Sequence, residues 1–82
     1  MERINLCEVN INETYVIVEV KQTNEIWHRL QEMNFRKGKE IKVVQNGSLI
    51  RCFVDGAQFG LDENVAKIIL VEQKSEKKNV AL

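Results

Sequence analysis

The side chains that can do chemistry are few in this chain and stand far apart. One histidine, His28, and two cysteines, Cys7 and Cys52, supply its only imidazole and thiol groups. A nucleophilic site needs a thiol or hydroxyl beside a base, and a structural zinc site needs a full set of Cys or His ligands at short spacings. The two cysteines form no CxxC pair. The sequence therefore predicts reduced thiols, no catalytic residue, no metal ligand and no cofactor, which argues against an enzyme.

A basic stretch is the more informative feature. Between positions 29 and 42 it carries Arg29, Arg36, Lys37, Lys39 and Lys42. Solvated charges on a helix and a turn are the simplest interpretation. As a functional surface, the stretch suits an acidic partner or an anionic membrane surface. The whole chain has 12 basic and 12 acidic side chains, so nucleic acid is not expected as its main partner.

Aromatic side chains near the basic stretch are candidate anchors for a partner, because aromatic residues dominate interface energetics. Trp27 lies on the predicted helix, and Phe53 lies on the outward side of a predicted strand. The predicted partner-binding residues are therefore Trp27, Arg29, Arg36, Lys37, Lys39 and Phe53. Further apolar side chains on predicted outward faces would extend this surface if they remain exposed together: Tyr15, Ile17, Ile68 and Leu70.

These candidates depend on the elements that position them. Residues 14–20 are mostly β-branched or aromatic and predict a strand. Period two gives this strand one face made only of valines, which we expect to face the core: Val16, Val18 and Val20. The opposite face carries Tyr15, Ile17 and Glu19.

Residues 24–33 change to a helical period, with Ile26, Leu30 and Met33 in one stripe beside Trp27. Asn34 is predicted to end this helix in the left-handed conformation. Gly38 is then expected to supply a backbone angle that other residues resist.

The second half of the chain predicts four strands, at residues 39–45, 49–54, 57–61 and 67–72. Asn46-Gly47 and Asp55-Gly56 separate the first three, and both dipeptides favour a type I′ hairpin turn. Ile41 and Val43 are predicted to point inward. The same is expected of Ile50, Cys52 and Val54. The fold class is mainly β, with five short strands and one helix after the first strand. A small closed barrel is favoured over an open sheet covered by the helix, because closure removes exposed edges.

Seven short motifs follow one another in a fixed order: Arg29-Leu30, Met33-Asn34-Phe35, Lys37-Gly38, Ile41-Lys42-Val43, Asp55-Gly56, Gly60-Leu61 and Ala66-Lys67-Ile68-Ile69-Leu70-Val71. In their order and spacing over residues 5–72, they resemble the FeoA family of ferrous-iron transport accessory proteins. The resemblance implies an SH3-like barrel whose structural motif includes Leu30, Gly38, Gly56, Leu61 and Ala66. Asn34 replaces a family glycine, and Lys37 replaces the proline of a Pro-Gly turn; both changes are compatible with the fold.

The same resemblance implies a function. FeoA-like proteins act beside FeoB, a membrane transporter of ferrous iron that carries a GTPase domain, so we expect a protein-interaction module that docks there and modulates iron uptake. The barrel also forms the C-terminal domain of iron-dependent repressors, but 82 residues leave no room for their DNA-binding helices.

The sequence predicts one domain at residues 1–73 and a flexible tail at 74–82, because the last segment is lysine-rich and polar before its final Val-Ala-Leu. No apolar run approaches the roughly 20 residues of a membrane helix, and we expect a cytoplasmic protein that is not membrane-inserted. Two alternatives stay open: a small nucleic-acid-binding barrel, and a metal-sensing domain that uses Cys7, His28 and carboxylates.

Overall fold

Strands dominate the fold. The computed structural model describes residues 3–21 and 24–74. In chain order its elements are strand β1 (Ile4–Asn5), a 3-10 helix (Leu6–Glu8), strand β2 (Thr14–Val20), helix α1 (Asn24–Glu32), strands β3 (Glu40–Gln45), β4 (Leu49–Val54) and β5 (Ala57–Asp62), helix α2 (Glu63–Ala66) and strand β6 (Ile69–Gln73). The predicted mainly β class, with a helix after the first long strand, is confirmed.

The six strands form one antiparallel sheet in the order β1-β6-β2-β3-β4-β5. Within the described residues β1 and β5 do not pair, so hydrogen bonds leave two sheet edges where a closed five-stranded barrel was predicted. The additional strand is β1, in which Ile4 lies opposite Val71. A strand of two residues is too short to show an alternating pattern in the sequence. β1 forms through its pairing with β6.

The core is built from apolar side chains on the inner face of this sheet. Ile50, Cys52 and Val54 of β4 are buried, and Ile41 and Val43 of β3 are buried with them. The inward faces predicted for these two strands are confirmed. No charged or strongly polar side chain is buried among the described residues. This one cluster therefore supplies the hydrophobic stabilisation of the described sheet.

The face predicted for β2 is wrong. Tyr15 and Ile17 are buried at 3% and 0% exposure, whereas Val16 and Val18 are only half-buried. Glu19 misled the prediction, because strict period two places it on the same side as Tyr15 and Ile17. A register shift against β6 between Ile17 and Glu19 breaks that period. The bulge lets β2 bury Tyr15 and Ile17 and still expose Glu19.

Helix α1 covers the core with the predicted stripe. Leu30 is 2% exposed, and Ile26 and Met33 pack partly against the buried cluster. Asn34 ends the helix with φ at 69°, as predicted, and the Phe35 N–H donates to the Leu30 carbonyl at 2.9 Å. This left-handed residue reverses the chain so that Phe35 returns into the core.

Two predicted turns have the backbone that their residues favour. Gly38 has φ of 94°, and its N–H donates to the Ile17 carbonyl at 2.7 Å, which fixes the loop after α1 to β2. Asp55 and Gly56 have φ of 54° and 80° and form the two-residue connection between β4 and β5. Both positions of this hairpin turn are left-handed, as a type I′ turn requires.

The Asn46-Gly47 turn differs from its prediction. Neither residue has positive φ, so the turn is not type I′, although β3 and β4 do form the predicted hairpin. A register shift between Val43 and Gln45 adds a residue to β3 before the turn. The bulge bends and twists the strand, so a longer connection joins the two strands without left-handed residues.

The last strand begins later than predicted, and helix α2 precedes it. Asp62 caps α2, because its carboxylate accepts the Val65 N–H at 2.9 Å. Strand β6 covers Ile69–Gln73, two positions beyond the predicted start. Lys74 still donates its backbone N–H to the Thr14 carbonyl at 3.1 Å. The rest of the predicted tail, residues 75–82, lies outside the described residues.

Candidate functional site

The predicted partner-binding residues lie on three different surfaces. Trp27 and Lys37 line a groove between α1 and β2, together with Val18 and Val20. Trp27 therefore lies against the half-buried face of β2.

Charges in the Trp27 groove are largely paired. The Arg3 guanidinium contacts the Glu19 carboxylate at 3.2 Å and the Glu72 carboxylate at 3.7 Å. Trp27 is half-buried, and its indole meets the His28 ring edge-on with centroids 5.0 Å apart. Lys37 is the cation of this groove that has no ion pair within the described residues.

Phe53 lies elsewhere, on the outer face of β4, and is 39% exposed. It borders a shallow depression with Lys42, Glu40 and Asp55. Lys39 belongs to this side of the molecule, because its ammonium pairs with the Asp55 carboxylate at 2.9 Å. The structure thus brings Lys39 toward Phe53 and not toward Trp27.

The two arginines of the predicted set have separate positions. Arg29 is exposed and lines a third groove, between α1 and β5, with Met33 and Leu61. The Arg36 Nε donates to the Gln31 carbonyl at 3.1 Å, which satisfies an acceptor at the end of α1. The basic stretch is therefore distributed around the helix and the sheet instead of forming one face.

The residues of the predicted structural motif lie where the fold needs them. Leu30, Leu61 and Ala66 are all in the buried cluster. Gly38 and Gly56 occupy left-handed backbone positions. Their placement explains the motif by packing and backbone conformation alone.

Neither thiol is prepared for nucleophilic chemistry. Burial raises the pKa of Cys52 to about 12. The pKa of Cys7 is also raised, first by burial and then by the nearby Glu63 carboxylate, and its Sγ lies 3.8 Å from the Glu63 carbonyl oxygen. Both groups stay protonated at neutral pH, and a neutral thiol is a poor nucleophile and metal ligand.

The side chains of the metal-sensing alternative are separated. Cys7 lies beside Glu63 at the start of α2, and His28 lies beside Trp27 on α1. No group of three or more His, Cys, Asp or Glu side chains within residues 3–21 and 24–74 is arranged to hold a metal ion. None of the helices in that part of the chain is long and apolar enough to cross a membrane.

Three exposed neighbours of Phe53 were not among the predicted site residues. Leu49 and Arg51 share the outer face of β4 with Phe53, and Lys42 lies directly opposite Phe53 on β3. The sequence pattern that indicates the outer positions of β4 is its strict alternation, in which Leu49, Arg51 and Phe53 alternate with Ile50, Cys52 and Val54.

Comparison with known proteins identifies the family. The sequence profile of the FeoA domain matches residues 4–73. A crystal structure of FeoA from Stenotrophomonas maltophilia in complex with zinc, described as a prokaryotic SH3-domain protein, is 28% identical with a TM-score of 0.77, covering 84% of this chain and 89% of that one. A FeoA-like protein from Clostridium acetobutylicum is 23% identical with a TM-score of 0.81, covering 98% of this chain and 96% of that one.

The fold is also found within larger regulators. IdeR from T. acidophilum is 23% identical with a TM-score of 0.82 over 90% of this chain, which spans 35% of that protein. No curated protein sequence gives a significant match. Because the domain profile covers nearly all the described residues, the sheet and its inserted helix are an SH3-like FeoA fold, and this chain belongs to the FeoA domain family, which is associated with ferrous iron transport.

Proposed function

We propose that this protein is a cytosolic interaction module that docks on a FeoB-type ferrous-iron transporter and modulates iron uptake. The observation that carries the proposal is the match of the FeoA domain to residues 4–73, which covers every strand of the sheet. The similar protein from Stenotrophomonas maltophilia is described as a candidate activating factor for ferrous iron transport. A domain of this size affects a transporter by binding to it.

The chemistry of the described residues favours binding over catalysis. Cys52 is buried with its pKa raised to about 12, and burial also raises the pKa of Cys7. Within the described residues His28 contacts Trp27 and makes no hydrogen bond to an acidic or thiol side chain. A general base needs a nucleophile within hydrogen-bonding reach, and His28 lacks one here.

Two surfaces of the molecule offer aromatic side chains to a partner. One is the groove of Trp27 and Lys37, and the other is the sheet face around Phe53 and Lys39. Each combines a partly exposed aromatic ring with a lysine, and aromatic residues are enriched at protein interfaces. Arg29 and Arg36 belong to neither surface: Arg29 lines the separate groove between α1 and β5, and Arg36 donates to the Gln31 carbonyl at the end of α1.

An iron-uptake measurement tests the proposed function. Cells that lack this protein and retain the transporter should show a changed initial rate of ferrous iron uptake, and the intact chain should restore the original rate. Leu30→Asp is the control, because an unpaired charge in the core abolishes the folded domain and with it the rescue. An uptake rate that is the same with and without the protein contradicts the proposal.

A further inference from the structure

One exposed face of the sheet combines apolar and positively charged side chains without internal partners. Its members, here termed the outer sheet face, are Lys42 of β3, Leu49, Arg51 and Phe53 of β4, and Gln58 and Gly60 of β5. We infer that the outer sheet face binds an acidic segment of a protein partner, with apolar side chains of that segment lying on Phe53 and Leu49. This inference deepens the proposed function and rests on it for the identity of the partner.

Strand pairing places these side chains next to one another. Phe53 lies opposite Lys42 on one side and opposite Gln58 on the other. Arg51 lies opposite Gly60, two positions along β4 from Phe53. Paired strands are about 5 Å apart, and alternate residues of one strand are about 7 Å apart. The Phe53 ring therefore has one cationic side chain beside it and another along its own strand.

The apolar side chains of this face are large and accessible. Leu49 is 37% exposed and Phe53 is 39% exposed, and they are two of the three exposed large hydrophobic residues among the described residues. Gly60 has no side chain that could cover Leu49 or Phe53. The Leu49 side chain lies over Gly60, and its Cδ1 is 3.4 Å from the position that a β-carbon on Gly60 would occupy. A shared exposed face with two such residues is typical of a contact surface.

The cations of the outer sheet face have no internal carboxylate. Within the described residues the side chains of Lys42 and Arg51 make no hydrogen bond or ion pair. Two carboxylates lie on the same side of the sheet by alternation, Glu40 of β3 and Asp62 of β5, and each has another partner: Glu40 pairs with Lys74, and Asp62 accepts the Val65 N–H. Asp55, in the turn beside the face, pairs with Lys39.

Lys42 and Arg51 are therefore cations without an ion-pair partner among the described residues, and they lie beside two apolar side chains. Carboxylates of a partner would complement Lys42 and Arg51, and apolar residues next to those carboxylates would bury Phe53 and Leu49. The overall charge of zero favours a protein segment over a nucleic acid, since a nucleic acid would meet as many acidic as basic side chains elsewhere on the molecule.

An NMR titration of the full chain with the cytosolic part of the FeoB-type transporter from the same organism tests the inference. We expect the amide shifts to be concentrated in β3, β4 and β5. Arg51→Glu replaces an attraction with a repulsion and should weaken binding about tenfold. Phe53→Ala removes the aromatic contact and should weaken it to a similar extent, about tenfold.

Lys21→Glu is the matched control. It makes the same charge change at an exposed residue seven positions along the chain from Thr14, the β2 residue that lies opposite Lys42. Its binding should stay within about twofold of the original chain. Melting curves of each variant check that the exposed substitutions leave the fold intact.

The possible results separate the two proposals. Shifts confined to the Trp27 groove, with binding unaffected by Arg51→Glu, overturn the inference and support the proposed function. The absence of any shift overturns both. A single-stranded oligonucleotide, titrated in parallel, should leave the spectrum unchanged. Salt-sensitive oligonucleotide binding that Arg51→Glu abolishes would replace the acidic segment with nucleic acid and overturn the inference.

Discussion

The two faces of β2 allow a sharp test of the fold, because adjacent residues have opposite environments. Ile17 is 0% exposed in the core, whereas Val18 is half-buried beside Trp27. Ile17→Ala removes about three buried carbon groups, at about 0.8 kcal/mol each, and leaves a cavity that raises the cost to about 3–4 kcal/mol. Val18→Ala removes fewer groups from a partly solvated site and should cost about 1 kcal/mol.

A loss of this size is easily measured in a small domain. The free energy of unfolding expected for a chain of this length is about 4–12 kcal/mol, so Ile17→Ala should remove about a quarter of it or more. Urea unfolding followed by circular dichroism gives the comparison, provided that the slope with urea is the same for all variants. Both substitutions replace a β-branched residue by alanine in one strand, which balances their change in strand propensity. Equal costs, or a larger cost for Val18→Ala, would refute the assignment of the core face.

Four further predictions concern individual residues. Leu30→Asp should abolish cooperative thermal unfolding, since it places an unpaired charge at a position 2% exposed, and a melting curve like that of the original chain would contradict this. Gly56→Ala should cost about 1–2 kcal/mol in urea unfolding, because φ is 80° and no steric neighbour adds to the backbone strain. At Gly47 an added β-carbon would meet open space and φ is not positive, so Gly47→Ala should cost clearly less than Gly56→Ala. Equal costs for the two variants would contradict the turn assignment. Alkylation at mildly alkaline pH should modify Cys7 before Cys52, because burial raises the pKa of Cys52 to about 12, and mass spectrometry of the native protein checks the order. The raised pKa of Cys52 stabilises the fold below pH about 9, and this contribution is lost as pH rises toward 12, so unfolding should become easier in that window.

Local sequence predicted the inward face of strands that keep a strict period of two. In β4, buried Ile50 and Cys52 alternate with exposed Arg51 and Phe53, so period two gives the correct face. In β2 both faces are apolar, and the register shift near Val18 breaks the period that the prediction assumed. A bulge depends on pairing with another strand, and nothing in β2 alone indicates it.

The candidate site shows the same division between local and long-range information. The exposure of Phe53 follows from alternation within its own strand. The separation of Lys37 from Lys39 does not, because these neighbours in sequence contact different surfaces: Lys37 lines the Trp27 groove, and Lys39 pairs with Asp55. Which cations share a surface is decided by the path of the chain around Gly38 and by strand pairing.

A calorimetric titration of the purified protein into the cytosolic part of the FeoB-type transporter tests the central claim most directly. The claim is that this FeoA-domain protein acts by binding that transporter. It predicts a saturable heat of binding with a defined stoichiometry. The inference about the outer sheet face adds that Phe53→Ala reduces this heat and that Lys21→Glu retains it. No measurable heat at protein concentrations up to about 1 mM, confirmed at a second temperature to exclude a chance enthalpy of zero, would contradict the claim.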